Sequence, residues 1–213
     1  MAKKETLPEV AGSTELEIPG MVLKEVRVHI KGLSPLIVHA WSEKAKKEML
    51  DSQMKKPKQK KEAKDPEADY KNSLYYVSKK PAKYGFPVIA FKAATASAWA
   101  HVDGFKKGII RGAYHIVNGV PTPQGDLAVL DFGELRQRED MVRVGMGTAD
   151  IRYRGEFIDW STTLVCRLNT RVISPAQLVS IFNVAGFAVG VGEWRPEKDG
   201  QNGMFEVVSV EGA

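Results

Sequence analysis

The segment from Ser174 to Val207, SPAQLVSIFNVAGFAVGVGEWRPEKDGQNGMFEV, constrains this chain more than any other. It reads as a helix, then a glycine-rich basic loop, then a strand. Ser174 suits the cap position, Pro175 suits the first turn, and Gln177 sits where a capping box needs a side chain to reach back. Leu178, Ile181 and Ala185 recur at helical spacing and predict a buried face. Gly186 fits a left-handed helix end. Gly190, Gly192, Gly200 and Gly203 follow, with Trp194, Arg195 and Lys198 among them. Glycine lets a backbone approach something closely, and Arg and Lys suit a phosphate. The loop either holds a nucleic acid or turns a corner.

The net charge of +5 favours an anionic partner, nucleic acid ahead of a membrane surface. An apolar fraction of 43% can build a core, and 213 residues suit one domain with an insertion. No apolar run of membrane-spanning length or signal-peptide pattern is present, so a soluble, cytoplasmic protein is expected. Cys166 is the one cysteine, which excludes an internal disulfide and a cysteine-rich zinc site. It alternates with apolar residues and reads as a core thiol.

Along the chain, residues 1–20 are charged and small and read as a flexible arm. Val26, Val28 and Ile30 alternate with Arg27, His29 and Lys31, which predicts a strand with one apolar and one basic face. Leu36, Ile37 and Val38 continue as an extended segment. A helix is predicted from Ser42 to about Met54, inside a mobile lysine-rich insertion spanning about 42–80. An alanine-rich helix is expected from Phe91 to about Val102. Gly108 to Val117 and Leu127 to Phe132 read as strands, and Met141 to Val144 as a short extended piece. Ala149 to Gly155 reads as a loop or hairpin arm, and Ile158 to Leu168 as a long alternating strand. With its insertions removed, the order is βαββαβ. That predicts an α+β, ferredoxin-like or RRM-type core, a single domain over 21–213.

The sequence offers little for catalysis. There is no G-x-S-x-G elbow. His29, His39, His101 and His115 are scattered, without a zinc-binding spacing. Neither metal nor cofactor is expected. The glycines follow a helix and precede a strand, the reverse of a dinucleotide-binding turn, and no G-K-[ST] follows them. His29 or His39 can serve as a general base in RNA cleavage, although a hydrogen-bonded structural role is the plainer reading. Nucleic-acid signals are more numerous. Arg152, Tyr153 and Arg154 interleave cation and ring, as do Trp194 and Arg195. The plain alternative is that Trp194 fills the core and Arg195 pairs with Glu197. The RRM sheet consensus is absent, so base stacking on the sheet is not expected.

Three stretches resemble the RAMP superfamily, the repeat-associated proteins that form backbone subunits of CRISPR effector complexes. VHIKGLSPLIVH (Val28 to His39) is similar to the family's first strand and its G-x-x-P-L end. GFPVIAFKAATASAWA (Gly85 to Ala100) is similar to its Pro-x-x-x-x-Lys helix start. Ala185 to Val207 is similar to its glycine-rich loop, with Glu-Trp-Arg-Pro-Glu-Lys where the family carries arginine and serine. The chain also resembles compact phage proteins. The RAMP resemblance implies that Lys92 contacts a phosphate, that Gly190, Gly192 and Arg195 line a groove, and that Arg152 to Arg154 form a thumb-like arm. It further implies a non-enzymatic protein that assembles along single-stranded RNA or DNA, RNA being favoured. Partners would be copies of itself or other subunits of a nucleoprotein complex. The alternatives are a metal-independent endoribonuclease using His29 or His39 with Lys92, a phage single-stranded DNA-binding or annealing protein, and a structural mimic of such subunits.

Overall fold

Val26, Val28 and Ile30 are at most 1% exposed, whereas Arg27 and Lys31 stand in the open, as period-two alternation requires. The computed structural model describes residues 20–56, 63–104, 107–145 and 147–212. Apart from Gly20, the expected N-terminal arm lies outside these residues, as does the 57–62 part of the lysine-rich insertion. In chain order the elements are β1 (Leu23–Gly32), β2 (Leu36–Val38), α1 (Glu43–Gln53), α2 (Pro66–Asn72), β3 (Tyr76–Lys79), β4 (Ala82–Pro87), α3 (Val88–Ser97), α4 (Lys107–Ala113), β5 (Tyr114–Ile116), β6 (Val120–Thr122), β7 (Gly125–Val129), β8 (Glu134–Val144), β9 (Thr148–Ile158), β10 (Ser161–Asn169), α5 (Pro175–Val184) and β11 (Phe205–Glu211).

The central sheet is antiparallel, in the order β11-β1-β10-β5. With α3 after β1 and α5 after β10, it is the expected ferredoxin-like βαββαβ core. Both helices cover one face. Phe91, Ala94, Leu178 and Phe182 pack in a single core with Val28, Leu164, Cys166 and Phe205. Burial there pushes the Cys166 thiol up to about 12, so it is a core side chain rather than a nucleophile. The opposite face carries Arg27, His29 and Arg167, and among the described residues no helix covers it.

Two insertions stand on this core. Between β1 and α3 the chain makes β2, α1, α2, β3 and β4; between β5 and β10 it makes β6 to β9. The described part of the lysine-rich insertion forms α1, α2 and β3. Asp65 caps α2, and Leu74 beyond α2 is buried at 2%. Strands β8 and β9 pair over eleven residues each and turn through Gly145 and Gly147, both at positive φ. At ~3.3 Å per residue this arm is about 36 Å long. It joins β2 at its base to form a three-stranded sheet, and the remaining strands form a third sheet, β3-β4-β7-β6.

Three local expectations are corrected. The run from Gly108 is not a strand: Lys107–Ala113 is helical, with Ile110 and Ala113 buried at i, i+3 spacing, and only Tyr114–Ile116 is extended. Met141 to Val144 and Ala149 to Gly155 are not separate pieces but parts of the two strands of one arm. Helix α5 does not end at Gly186. The capping box forms as read, but the helix continues through a π-turn, Ala185–Val189, and stops at Gly190 with φ +69. Gly186 is needed for another reason. A Cβ there would lie 1.9 Å from the Phe205 carbonyl oxygen, so the absent side chain lets this turn press against β11.

Candidate nucleic-acid interface

The glycine loop is an internal clasp. Glu193 N–H donates to Ile37 O at 2.9 Å, Gly203 N–H to Pro35 O at 2.8 Å, and Val191 N–H to Gly203 O at 2.9 Å. The first two bonds fasten the loop to β2 and to the β1–β2 connection, and the third closes the loop on itself. Gly192, at φ +80, would carry a Cβ only 2.5 Å from Ile37 O. The close approach that glycine permits is therefore to the protein's own backbone. With α3 the loop encloses a small cleft of about 130 Å³, lined by Gly190, Gly192 and Arg195. Arg195 is tied inside it, donating Nη1 to Gly192 O at 3.0 Å and Nη2 to Glu197 Oε2 at 2.8 Å. The pairing of Arg195 with Glu197 is the one the plain alternative anticipated. Lys198 is exposed beside it.

Trp194 does not fill the core. It is 40% exposed and holds a left-handed backbone at φ +53. That conformation costs a non-glycine residue on the order of 1–3 kcal/mol and persists only where neighbours impose it. Asn202 N–H donates to the Trp194 carbonyl at 2.9 Å, and the indole N–H donates to Asp140 Oδ2 at 3.3 Å. The ring is thus pinned at its polar edge and left partly in solvent.

Asp140 belongs to the arm, and strand alternation decides what accompanies it. Arg138 and Asp140 on β8 share a face with Arg152 and Arg154 on β9, because Arg138 pairs with Arg154 and Asp140 with Arg152. Tyr153 pairs with Glu139 and lies on the opposite face, so the structure does not bring it together with the two arginines. Arg154 is 2% exposed. It donates Nη1 to Asp140 Oδ2 at 3.1 Å, its Nη2 lies 3.4 Å from Glu193 Oε2, and its buried Nε has no hydrogen-bond partner among the described residues. Arg138 donates Nε to Asp140 Oδ1 at 2.9 Å and Nη1 to Glu156 at 2.8 Å. Burial alone would raise the Asp140 carboxyl. Arg138, then Arg154 and the Trp194 N–H, bring it below the ordinary 3.8. Arg152 is held more loosely: its Nε lies 3.6 Å from Asp150, and the side chain is 36% exposed.

Lys92 lies elsewhere. It is on the second turn of α3, half-buried, donating Nζ to Ile110 O at 3.0 Å and to Tyr114 O, with the ammonium 3.5 Å from the Tyr114 ring centre. Burial pushes its amine down to about 8. His29 lies on the uncovered face of the central sheet, its Nδ1 2.9 Å from Thr163 Oγ1, whereas α3 and Lys92 cover the other face. His39 follows β2 and is exposed. The described residues therefore do not gather His29 and Lys92 into one site. No group of three or more His, Cys, Asp or Glu among them could hold a metal ion. No helix among them is long and apolar enough to cross a membrane.

Of the residues read from sequence, the structure gathers Arg152, Arg154, Gly192, Trp194 and Arg195 around the base of the arm and the glycine loop. It sets Tyr153 and Lys92 apart. Glu193, a glycine-loop carboxylate that reads from the sequence as an ion-pair partner, does pair with Arg154; Asp140 and Arg138, which hold the cluster together with it, were not singled out. The signal was present in the period-two pattern of REDMVRV, where Arg138 and Asp140 are spaced for one strand face.

No family model matches the chain, and no curated protein matches it as a relative. Among solved structures it is similar to a chain of the Type III-B Cmr-beta structure bound to cognate target RNA, with TM-score 0.52 and 9% identity. That match covers 89% of this chain and 60% of the other, so this protein spans less than two thirds of that neighbour's length. A second match is Cmr6 from Pyrococcus furiosus, with TM-score 0.41 and 10% identity, over 88% of this chain and 100% of that one. At such identities the likeness is one of fold. The α+β, ferredoxin-like fold expected from the sequence is borne out at that level.

Proposed function

We propose that this protein is a non-enzymatic single-stranded nucleic-acid-binding subunit, with RNA favoured over DNA, that assembles with copies of itself or with other subunits along the strand. The observation that carries this is Trp194. It is a large ring fixed in a left-handed backbone, fastened by its N–H to the arm, and 40% exposed. Such a ring is a ready platform for an unstacked base, and base–aromatic stacking is worth ~1–3 kcal/mol per base. Arg152 and Lys198 are the cations nearby in the fold with the most freedom to meet phosphate, since Arg154 and Arg195 are engaged by carboxylates. The net charge of +5 and a fold neighbour described as bound to target RNA support the same reading.

The test is the absorbance ratio at 260 and 280 nm of protein purified from cells, before and after nuclease. The proposal expects a high ratio that falls with RNase and not with DNase. A ratio typical of bare protein, together with no gel shift on single strands, contradicts it. Cleavage of labelled RNA in EDTA would instead favour the endoribonuclease reading.

A further inference from the structure

A second cleft, of about 450 Å³, opens where the start of α1 meets β3 and the β6–β7 turn, with Trp41, Lys71, Asn72, Tyr76, Lys79 and Gln124 among its lining residues. Trp41 directly precedes the α1 cap Ser42 and is 54% exposed. Tyr76 is half-buried on β3. Each ring has an ammonium beside it: Lys46 Nζ lies 5.9 Å from the Trp41 ring centre and Lys79 Nζ 5.8 Å from that of Tyr76. Among the described residues, the cleft is lined by two lysines and by no Asp or Glu.

Its frame is fixed by hydrogen bonds. Gln124 donates Nε2 to Leu74 O at 3.1 Å and accepts at Oε1 from Tyr76 N–H at 3.0 Å. Thr122 Oγ1 donates to Gly125 O at 2.7 Å and accepts from Gln124 N–H at 3.1 Å, which holds the β6–β7 turn. Leu74, 2% exposed, is part of the lining. A wall already rigid loses little entropy on binding. The contents are two aromatic rings, ammonium groups and the Asn72 amide, which offers both a donor and an acceptor. Lys71 Nζ also bonds Glu67 at 2.6 Å, but both are exposed, and such a pair yields readily to a stronger anion.

We propose that this cleft binds one nucleotide, its base against the Trp41 or Tyr76 ring and its phosphate on Lys71 and Lys79. The proposal rests on the nucleic-acid reading above in so far as the nucleotide belongs to a strand. A free mononucleotide presents the same base and phosphate. A proline-rich peptide would use the rings but leave the lysines idle, so the charge of the cleft favours the nucleotide.

The experiment uses the full chain, with fluorescence anisotropy on labelled U20 and A20 RNA and equilibrium dialysis with UMP and AMP. The variants are Trp41→Ala, Trp41→Phe, Tyr76→Ala and Lys79→Ala, each with its melting curve. Trp41→Ala is the key variant, because an exposed side chain can be removed without unfolding. It is expected to weaken binding at least about fivefold, with Trp41→Phe retaining most affinity. Lys79→Ala is expected to lower the strand's salt slope by about 0.7. If wild type binds the strand and Trp41→Ala and Tyr76→Ala bind as well as it does, the cleft proposal is overturned while the function proposed above stands. If wild type binds mononucleotide through Trp41 but no strand, the cleft stands and the strand reading falls. If wild type binds neither, or binds only a polyproline octapeptide added as a further probe, the cleft proposal is overturned.

Discussion

Arg154 and Trp194 donate to the same oxygen, Oδ2 of Asp140, at 3.1 and 3.3 Å. One carboxylate therefore fastens the arm to the glycine loop. It also sets the position of the half-exposed indole on which the proposed binding depends.

Removing that carboxylate should be costly. Asp140→Ala leaves Arg154 buried beside only the longer contact to Glu193, and loss of one partner from a buried pair costs ~3–5 kcal/mol. Urea unfolding at pH 7 checks this, and a loss below 1 kcal/mol would show that the node is not structural.

The same node should respond to acid. The Asp140 carboxyl sits below its ordinary 3.8, so its contribution is whole above that value and is lost as pH falls through its lower folded value. The stability gap between wild type and Asp140→Asn should therefore be constant from about pH 7 to 5 and narrow below about pH 4. A gap that widened in acid would reverse the assigned direction.

Lys92 should matter for the fold and not for phosphate. Lys92→Ala leaves two carbonyls without their donor and should cost ~1–3 kcal/mol, with the salt slope of binding unchanged. Its amine is pushed down to about 8 from 10.5, so the unfolded chain holds more protons between those values. This residue therefore adds stability as pH rises through that window, and Lys92→Met should remove the increment. A lowered salt slope in Lys92→Ala would return the residue to the binding surface.

Gly192→Val should unfold the loop rather than block a ligand. The position has φ +80 and no room for a Cβ beside Ile37 O, so the strain is on the order of 1–3 kcal/mol or more. A melting temperature equal to wild type, with binding lost, would show that the glycine faces a ligand after all.

Much of the fold was legible because its signals are local. The Ser174 and Gln177 capping box, the alternation of Val26, Val28 and Ile30, and most of the strand expected from Ile158 to Leu168 each follow from one segment's own pattern, although Ile158 closes β9 and β10 begins only at Ser161. The misreadings have equally definite causes. A short apolar run such as Gly108-Ile109-Ile110 fits a helix or a strand, and packing chose the helix. Reading Ala149 to Gly155 as a loop discarded the period of two, and with it the fact that Tyr153 opposes Arg152 and Arg154. A sequence shows that glycine permits close approach, but not what approaches. At Gly192 it is Ile37, which lies far away in the chain. Trp41 and Tyr76 meet in one cleft only through the folding of the first insertion, so no spacing between them could have announced it.

The central claim is a strand lying across Trp194 with its phosphates on Arg152 and Lys198. Anisotropy of a labelled 20-nucleotide RNA, titrated from 50 to 300 mM salt, tests it with Trp194→Ala, Arg152→Ala and Lys198→Ala. The claim predicts that Trp194→Ala weakens binding at least about fivefold without changing the salt slope. Arg152→Ala and Lys198→Ala should each lower the slope by about 0.7. Wild-type affinity and slope in all three variants, with their folds intact, would contradict it.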